Sequence, residues 1–162
     1  MRRFASFLVC LCALSTLCGC AVLRHGNDLT AFAARLHRRD KSVDAAEGWY
    51  YDENERRLRR FFPFGESEVE VALVPDEAND LTELWLVLPA ELYDDRDALA
   101  FCKNCAAAFL DDEELIRALA GAGFREAVTT PAPQTKRADA EGAGFAADVT
   151  EAGSVVTFYR EE

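Results

Sequence analysis

Apolar residues recur along this chain in two rhythms. Leu29, Phe32, Ala33 and Leu36 fall at i, i+3, i+4 and i+7, the spacing of one helix face, and Asp28 before them is a good N-cap. The spacing predicts a helix to about His37, packed on the domain or on lipid, with Arg38, Arg39 and Lys41 beyond its C-terminal end. From Gly48 to Phe64 a hairpin is expected: Trp49-Tyr50-Tyr51 opens it, Asp52 to Glu55 turns it, Arg56 to Phe62 returns, and Pro63 ends it. Val69, Val71 and Leu73 alternate with Glu68, Glu70 and Ala72, a half-buried strand. Thr82 to Leu88 is the strongest strand. Leu84, Leu86 and Leu88 share one face, while Trp85 and Val87 on the other predict a central position or cover on both sides.

Past Pro89 the period returns to 3.6. Asp94 can cap a helix to about Leu110 whose inner face holds Ala98, Phe101, Cys102, Cys105 and Phe109. Asp111 to Glu114 then restart a helix with a capping-box-like Asp111 and Glu114, buried through Leu115, Ile116 and Leu119 and stopped at Gly121 or Gly123. A strand is expected over Phe124 to Thr130. Pro131 to Gly144 reads as a polar loop, and Phe145 to Thr150 with Ser154 to Tyr159 as a closing hairpin around Ala152-Gly153. The order predicts an α+β domain over 28–162: a mainly antiparallel sheet with helices packed on one face.

The first twenty residues follow neither rhythm. Met1-Arg2-Arg3 is positive, Phe4 to Leu14 is apolar without a charge, and Leu17-Cys18-Gly19-Cys20 follows. A positive start, a short apolar run and small residues before a cut form an export signal, and the run is shorter than the ~20 residues of a spanning helix. Leu17-Cys18-Gly19-Cys20 resembles the lipobox of bacterial lipoproteins. The resemblance implies that 1–19 is removed, that the Cys20 thiol takes a diacylglyceryl group and that the new amine is often acylated. Residues 20–27 then form a lipidated tether. Ala21, where Asp commonly retains such proteins in the inner membrane, implies the periplasmic face of the outer membrane.

Charge divides unevenly beyond that signal. Residues 20–64 hold nine Lys/Arg and seven Asp/Glu, while 65–162 hold seven and twenty-two. An acidic surface of this kind argues against a nucleic-acid partner, which needs a basic footprint. Arg56, Arg57, Arg59 and Arg60 are the densest basic run. On a strand, Arg57 and Arg59 point one way and Arg56, Leu58 and Arg60 the other. Two uses are open: pairing with acids of the next strand such as Glu68 and Glu70, or contact with anionic headgroups beside the anchor.

Candidate chemistry comes down to Cys102-Lys103-Asn104-Cys105. A thioredoxin-like pair needs its first Cys at a helix N-terminus, and here it sits more than a turn inside the expected helix. A haem attachment needs His where Ala106 stands, and zinc needs two more ligands where only His25 and His37 are available. The alternative is a pair of small core residues, with a local disulfide possible. The carboxylate runs at Asp94, Asp95 and Asp97 and at Asp111 to Glu114 suit helix starts, and no nucleophile elbow or phosphate loop occurs. No catalytic residue, metal ligand or cofactor is selected. The expectation is a membrane-anchored, non-enzymatic binding or assembly module with a protein partner. The competing expectation is a periplasmic thiol–disulfide protein using Cys102 and Cys105.

Overall fold

The computed structural model describes residues 26–112, 116–117, 134–140 and 143–160. The lipobox, the tether before residue 26 and the strand expected over 124–130 lie outside them, as do most of the residues expected to form a helix after Asp111.

Among the described residues two α-helices and seven strands follow in the order α1 (Leu29–Arg39), β1 (Tyr50–Asp52), β2 (Arg57–Phe64), β3 (Ser67–Pro75), β4 (Leu81–Pro89), α2 (Arg96–Leu110), β5 (Gln134–Ala140), β6 (Ala143–Val149) and β7 (Gly153–Arg160). The strands form one sheet in the order β1-β2-β3-β4-β7-β6-β5, every pair antiparallel. It is an α+β fold: two meanders, β1–β4 and β5–β7, joined side by side along β4 and β7.

The alternation read from the sequence sets the faces. Val71 stands opposite Leu86, which stands opposite Val156, while Leu73, Leu84, Phe158 and Phe145 form the neighbouring row. All seven are buried beneath the helices, with Phe32 and Leu36 of α1 and Phe101, Cys105 and Phe109 of α2. Each such side chain contributes ~1.5–3 kcal/mol through removal from water. The opposite face carries Tyr50, Arg59, Ala72, Trp85 and Thr157 in one row. No helix covers it among the described residues. β4 is therefore central, as expected, but Trp85 and Val87 are half-buried beside neighbouring side chains rather than beneath a second layer.

Helix ends follow their caps. The Asp28 carboxylate accepts from Ala31 N–H at 2.8 Å and starts α1. Asp95, not Asp94, starts α2 by accepting from the N–H groups of Asp97 and Ala98, both at 2.9 Å. Asp111 ends α2 in the left-handed region, φ 51°, a conformation that Asp tolerates better than most residues. It is thus the C-cap of α2, while Glu114, the other half of the expected capping box, lies outside the described residues.

Two strand boundaries depart from the sequence reading. β2 runs through Pro63 to Phe64. A proline cannot donate to a ladder, but β1 pairs only with Arg57, Leu58 and Arg59, so Pro63 lies where one side of β2 has no neighbouring strand among the described residues. The polar stretch expected to be a loop contains β5, paired with β6 from Gln134↔Val149 to Ala140↔Ala143. β5 is the last strand of the sheet among the described residues.

Candidate functional site

The cysteine pair comes first, because it carries the sequence's one chemical motif. Cys102 and Cys105 lie in the middle of α2, on its sheet-facing side, as free thiols exposed by 2% and 0%. Burial pushes the Cys102 thiol up to about 12 and Cys105 well above its ordinary value. A reactive cysteine needs the opposite environment, exposed and electropositive. Two outcomes are expected. The native protein should react with a water-soluble aromatic disulfide no faster than it unfolds. Stability should also fall as pH rises from about 9 toward 12, because the unfolded thiols ionise in that range while the buried ones stay protonated. A Cys102→Ala/Cys105→Ala variant should lose that alkaline slope, which urea unfolding at stepped pH will read.

The four arginines do not act as one surface. Arg56 lies in the hairpin turn at φ 55° and is exposed. Arg57 stacks over the Trp85 ring, 3.9 Å from its centroid, and contacts Glu55 at 3.4 Å. Trp85 in turn donates its Nε1–H to Glu83 at 2.7 Å. Arg59 is held between two carboxylates, with Nε donating to Glu70 at 2.6 Å and Nη1 to Asp52 at 3.1 Å. The Asp52 carboxyl sits below its ordinary range, first because it accepts from Glu55 N–H and then because of Arg59. Arg60 turns to the helix side, donates to the Glu47 carbonyl and lies 4.5 Å from the Phe62 ring centroid. Glu70 is one of the acids the sequence offered as a partner. Glu68 stands opposite Pro63, away from the arginines.

These pairings neutralise the outer face near β1 and β2 and leave aromatic surface there. Tyr50 and Phe61 on that face, with Tyr51 on the opposite face of β1, are 45%, 41% and 50% exposed, the large apolar side chains most open to water among the described residues. The rings of Tyr50 and Phe61 stack at 6.4 Å and 20°. Adjacent aromatics on a sheet edge supply broad, rigid contact area.

On the helix side of the same edge lies a groove of about 660 Å³. Phe62, Phe64 and Phe101 line its apolar part, with ring centroids 4.6 Å (Phe62–Phe101) and 5.4 Å (Phe64–Phe101) apart. Asp40, Asp44 and Asp97 line its polar part, with Arg60. These residues come from the segment after α1, from β2 and from the first turns of α2. Sequence reasoning named each element and missed the groove, because no local pattern records that three segments converge.

A second polar cluster is structural. Arg35, 7% exposed, donates from Nε to the Ala108 carbonyl at 2.6 Å and from Nη2 to Asn27 Oδ1, and pairs with Asp111 at 3.5 Å. Arg160 donates to the carbonyls of Phe109 and Leu110. Two guanidinium groups thus satisfy the last carbonyls of α2 and sit at the negative end of its dipole. Burial lowers the pKa of both, and Asp111 opposes that effect in each. Among the described residues no group of three or more His, Cys, Asp and Glu side chains is placed to hold a metal ion.

No family model, curated protein or solved structure matches the chain.

Proposed function

We propose that the chain is a lipid-anchored protein of the bacterial envelope whose domain is a non-enzymatic module for binding another protein. The observation that carries the binding half is the edge of the sheet: Tyr50, Tyr51 and Phe61 exposed together, beside a groove with an aromatic lining. The anchoring half rests on Leu17-Cys18-Gly19-Cys20 behind an uncharged apolar run. The thiol–disulfide reading gains nothing from two buried thiols of raised pKa.

The start of the folded domain fits a short tether. Asn27 is hydrogen-bonded to the first residue of β4 in both directions: its carbonyl accepts from Leu81 N–H at 2.8 Å, and its side-chain amide donates to the Leu81 carbonyl at 2.7 Å. Seven Cα steps separate it from Cys20, a reach of at most about 25 Å. Asp76, Glu77, Asp80, Asp111 and Asp112 stand at the same end of the domain, where β3 ends, β4 starts and α2 ends. An anionic surface repels that end within a Debye length of ~8 Å. Attachment in this proposal comes from the acyl chains, each buried CH₂ adding ~0.8 kcal/mol, and not from the arginines of β2.

Mass spectrometry of the protein purified from envelopes tests the anchor. The expected mature N-terminus is Cys20 carrying a diacylglyceryl group. An intact Met1, or a cut elsewhere with Cys20 unmodified, overturns it.

A further inference from the structure

We infer that the open half of β2 and the groove beside it seat an extended segment of a partner protein, antiparallel to β2, with Lys or Arg side chains directed at Asp40, Asp44 and Asp97. This rests on the protein-binding reading above and names its site and the chemistry of its partner.

The β2·β3 ladder sets where the backbone groups of β2 point. Phe64 and Ser67 close a two-residue turn, Gly65-Glu66, with Gly65 at φ 63°. The residues flanking such a turn exchange both hydrogen bonds, and paired residues then alternate along an antiparallel ladder. Phe64, Phe62 and Arg60 therefore point their N–H and C=O groups toward β3. Phe61 and Pro63 point theirs the other way. β1 stops at Tyr50, opposite Arg59, and Gly48 at φ 83° turns the preceding chain aside. The N–H and C=O of Phe61 and the C=O of Pro63 are thus presented at an edge that no other strand among the described residues covers.

The direction of the added strand follows that of β1. Pro63 costs an added strand one bond in either direction, because proline lacks the N–H. An antiparallel strand places one residue opposite Phe61 and makes both of its bonds. That strand continues the line and direction of β1.

Side chains of the added strand alternate between faces. Those on the outer face meet Phe61 and the stacked Tyr50 ring, so apolar groups belong there. Those on the inner face enter the groove. Its lining offers aromatic rings to an aliphatic stem and three carboxylates to a cationic tip, the arrangement that suits Lys or Arg. Arg60 shows that a guanidinium lies comfortably against Phe62. The partner segment therefore alternates apolar and basic residues.

Fluorescence anisotropy of the full-length lipidated protein in detergent, at 0.15 M salt, tests this with a labelled heptapeptide of alternating Val and Lys. Saturable binding is expected. A Val/Glu peptide should bind at least about ten-fold more weakly, since it places like charges together. N-methylation of the Val amides, which face β2, should weaken binding about ten-fold or more, and N-methylation of the Lys amides, which face away, should not. Asp44→Asn with Asp97→Asn, both exposed positions, should weaken the Val/Lys peptide about five-fold without changing the circular dichroism spectrum. No binding, equal binding of the acidic peptide, equal effects of the two methylation patterns, or a self-associated dimer occupying the edge each overturns the inference. None of these touches the broader reading, which stands or falls on whether Phe61→Glu releases a photo-crosslinked partner in intact envelopes.

Discussion

Replacing Arg35 by alanine should destabilise the domain by about 2–4 kcal/mol, from a lost buried hydrogen bond and a lost cation at a helix end. Three losses combine. The Ala108 carbonyl loses its 2.6 Å donor inside the protein, and a buried acceptor without a partner costs about 1–3 kcal/mol. The C-terminus of α2 loses a cation at the negative end of its dipole, about 0.3–1 kcal/mol or more in a partly buried setting. Asn27 loses the guanidinium that orients its amide, so the hydrogen bonds joining Asn27 to Leu81 loosen. Asp111 softens the outcome: its carboxylate is 49% exposed and returns to water instead of remaining as an unpaired buried charge. Arg35→Lys should recover part of the loss, because an ammonium cannot address Ala108, Asn27 and Asp111 with one planar fork. Urea unfolding followed by Trp49 and Trp85 fluorescence measures both. A loss below about 1 kcal/mol for Arg35→Ala would refute the account.

Phe158→Ala is the second large effect, at about 3–5 kcal/mol. Phe158 is 2% exposed, stands opposite Leu84 across the β4·β7 ladder and opposite Phe145 across β6·β7, and its ring lies 6.0 Å from that of Phe145. Truncation opens a cavity at the line where the two meanders meet. Leu84, Phe145 and the helices above cannot all close on it, since each is fixed by its own ladder or packing. Phe158→Leu keeps most of the volume and should cost less than about 1.5 kcal/mol. The contrast between the two variants separates cavity formation from a general disturbance of the strand.

What the sequence revealed and what it concealed divide along one physical line. Asp28 with Leu29, Phe32, Ala33 and Leu36 announces α1, because cap and stripe lie within one segment. Val69, Val71 and Leu73, and then Leu84, Leu86 and Leu88, announce β3 and β4 with the correct buried face, because side-chain direction alternates by geometry alone. Arg35 lies on the same helix as that stripe but is a charged residue, and its reason for burial lies 73 residues away at Ala108. β5 has no alternation to detect: Gln134 to Ala140 is a strand because β6 offers it a ladder. Pro63 signals an end, and does not end β2, because β1 is short. The edge proposed to bind was half visible. Tyr50, Tyr51 and Phe61 stand in the sequence as aromatic residues on a hairpin, yet only the pairing of Arg57 with Trp85 and of Arg59 with Glu70 and Asp52 shows that the charges among them are spent within the domain.

The junction of the two meanders also governs the order in which the domain can assemble. β1 to β4 are joined by short turns, so their ladders close small loops and form early. Joining Glu83 to Tyr159 closes a loop of more than seventy residues, and a flexible loop that long adds ~(3/2)RT ln n of entropy before any contact repays it. Formation of that ladder should be the slow step. Until β7 arrives, β4 has a partner on one side only. The strand that holds Leu84, Leu86 and Leu88 is then an edge strand, with a full row of unpaired N–H and C=O groups beside its apolar face. Aggregation during folding is expected to begin there, on a surface the finished domain does not expose.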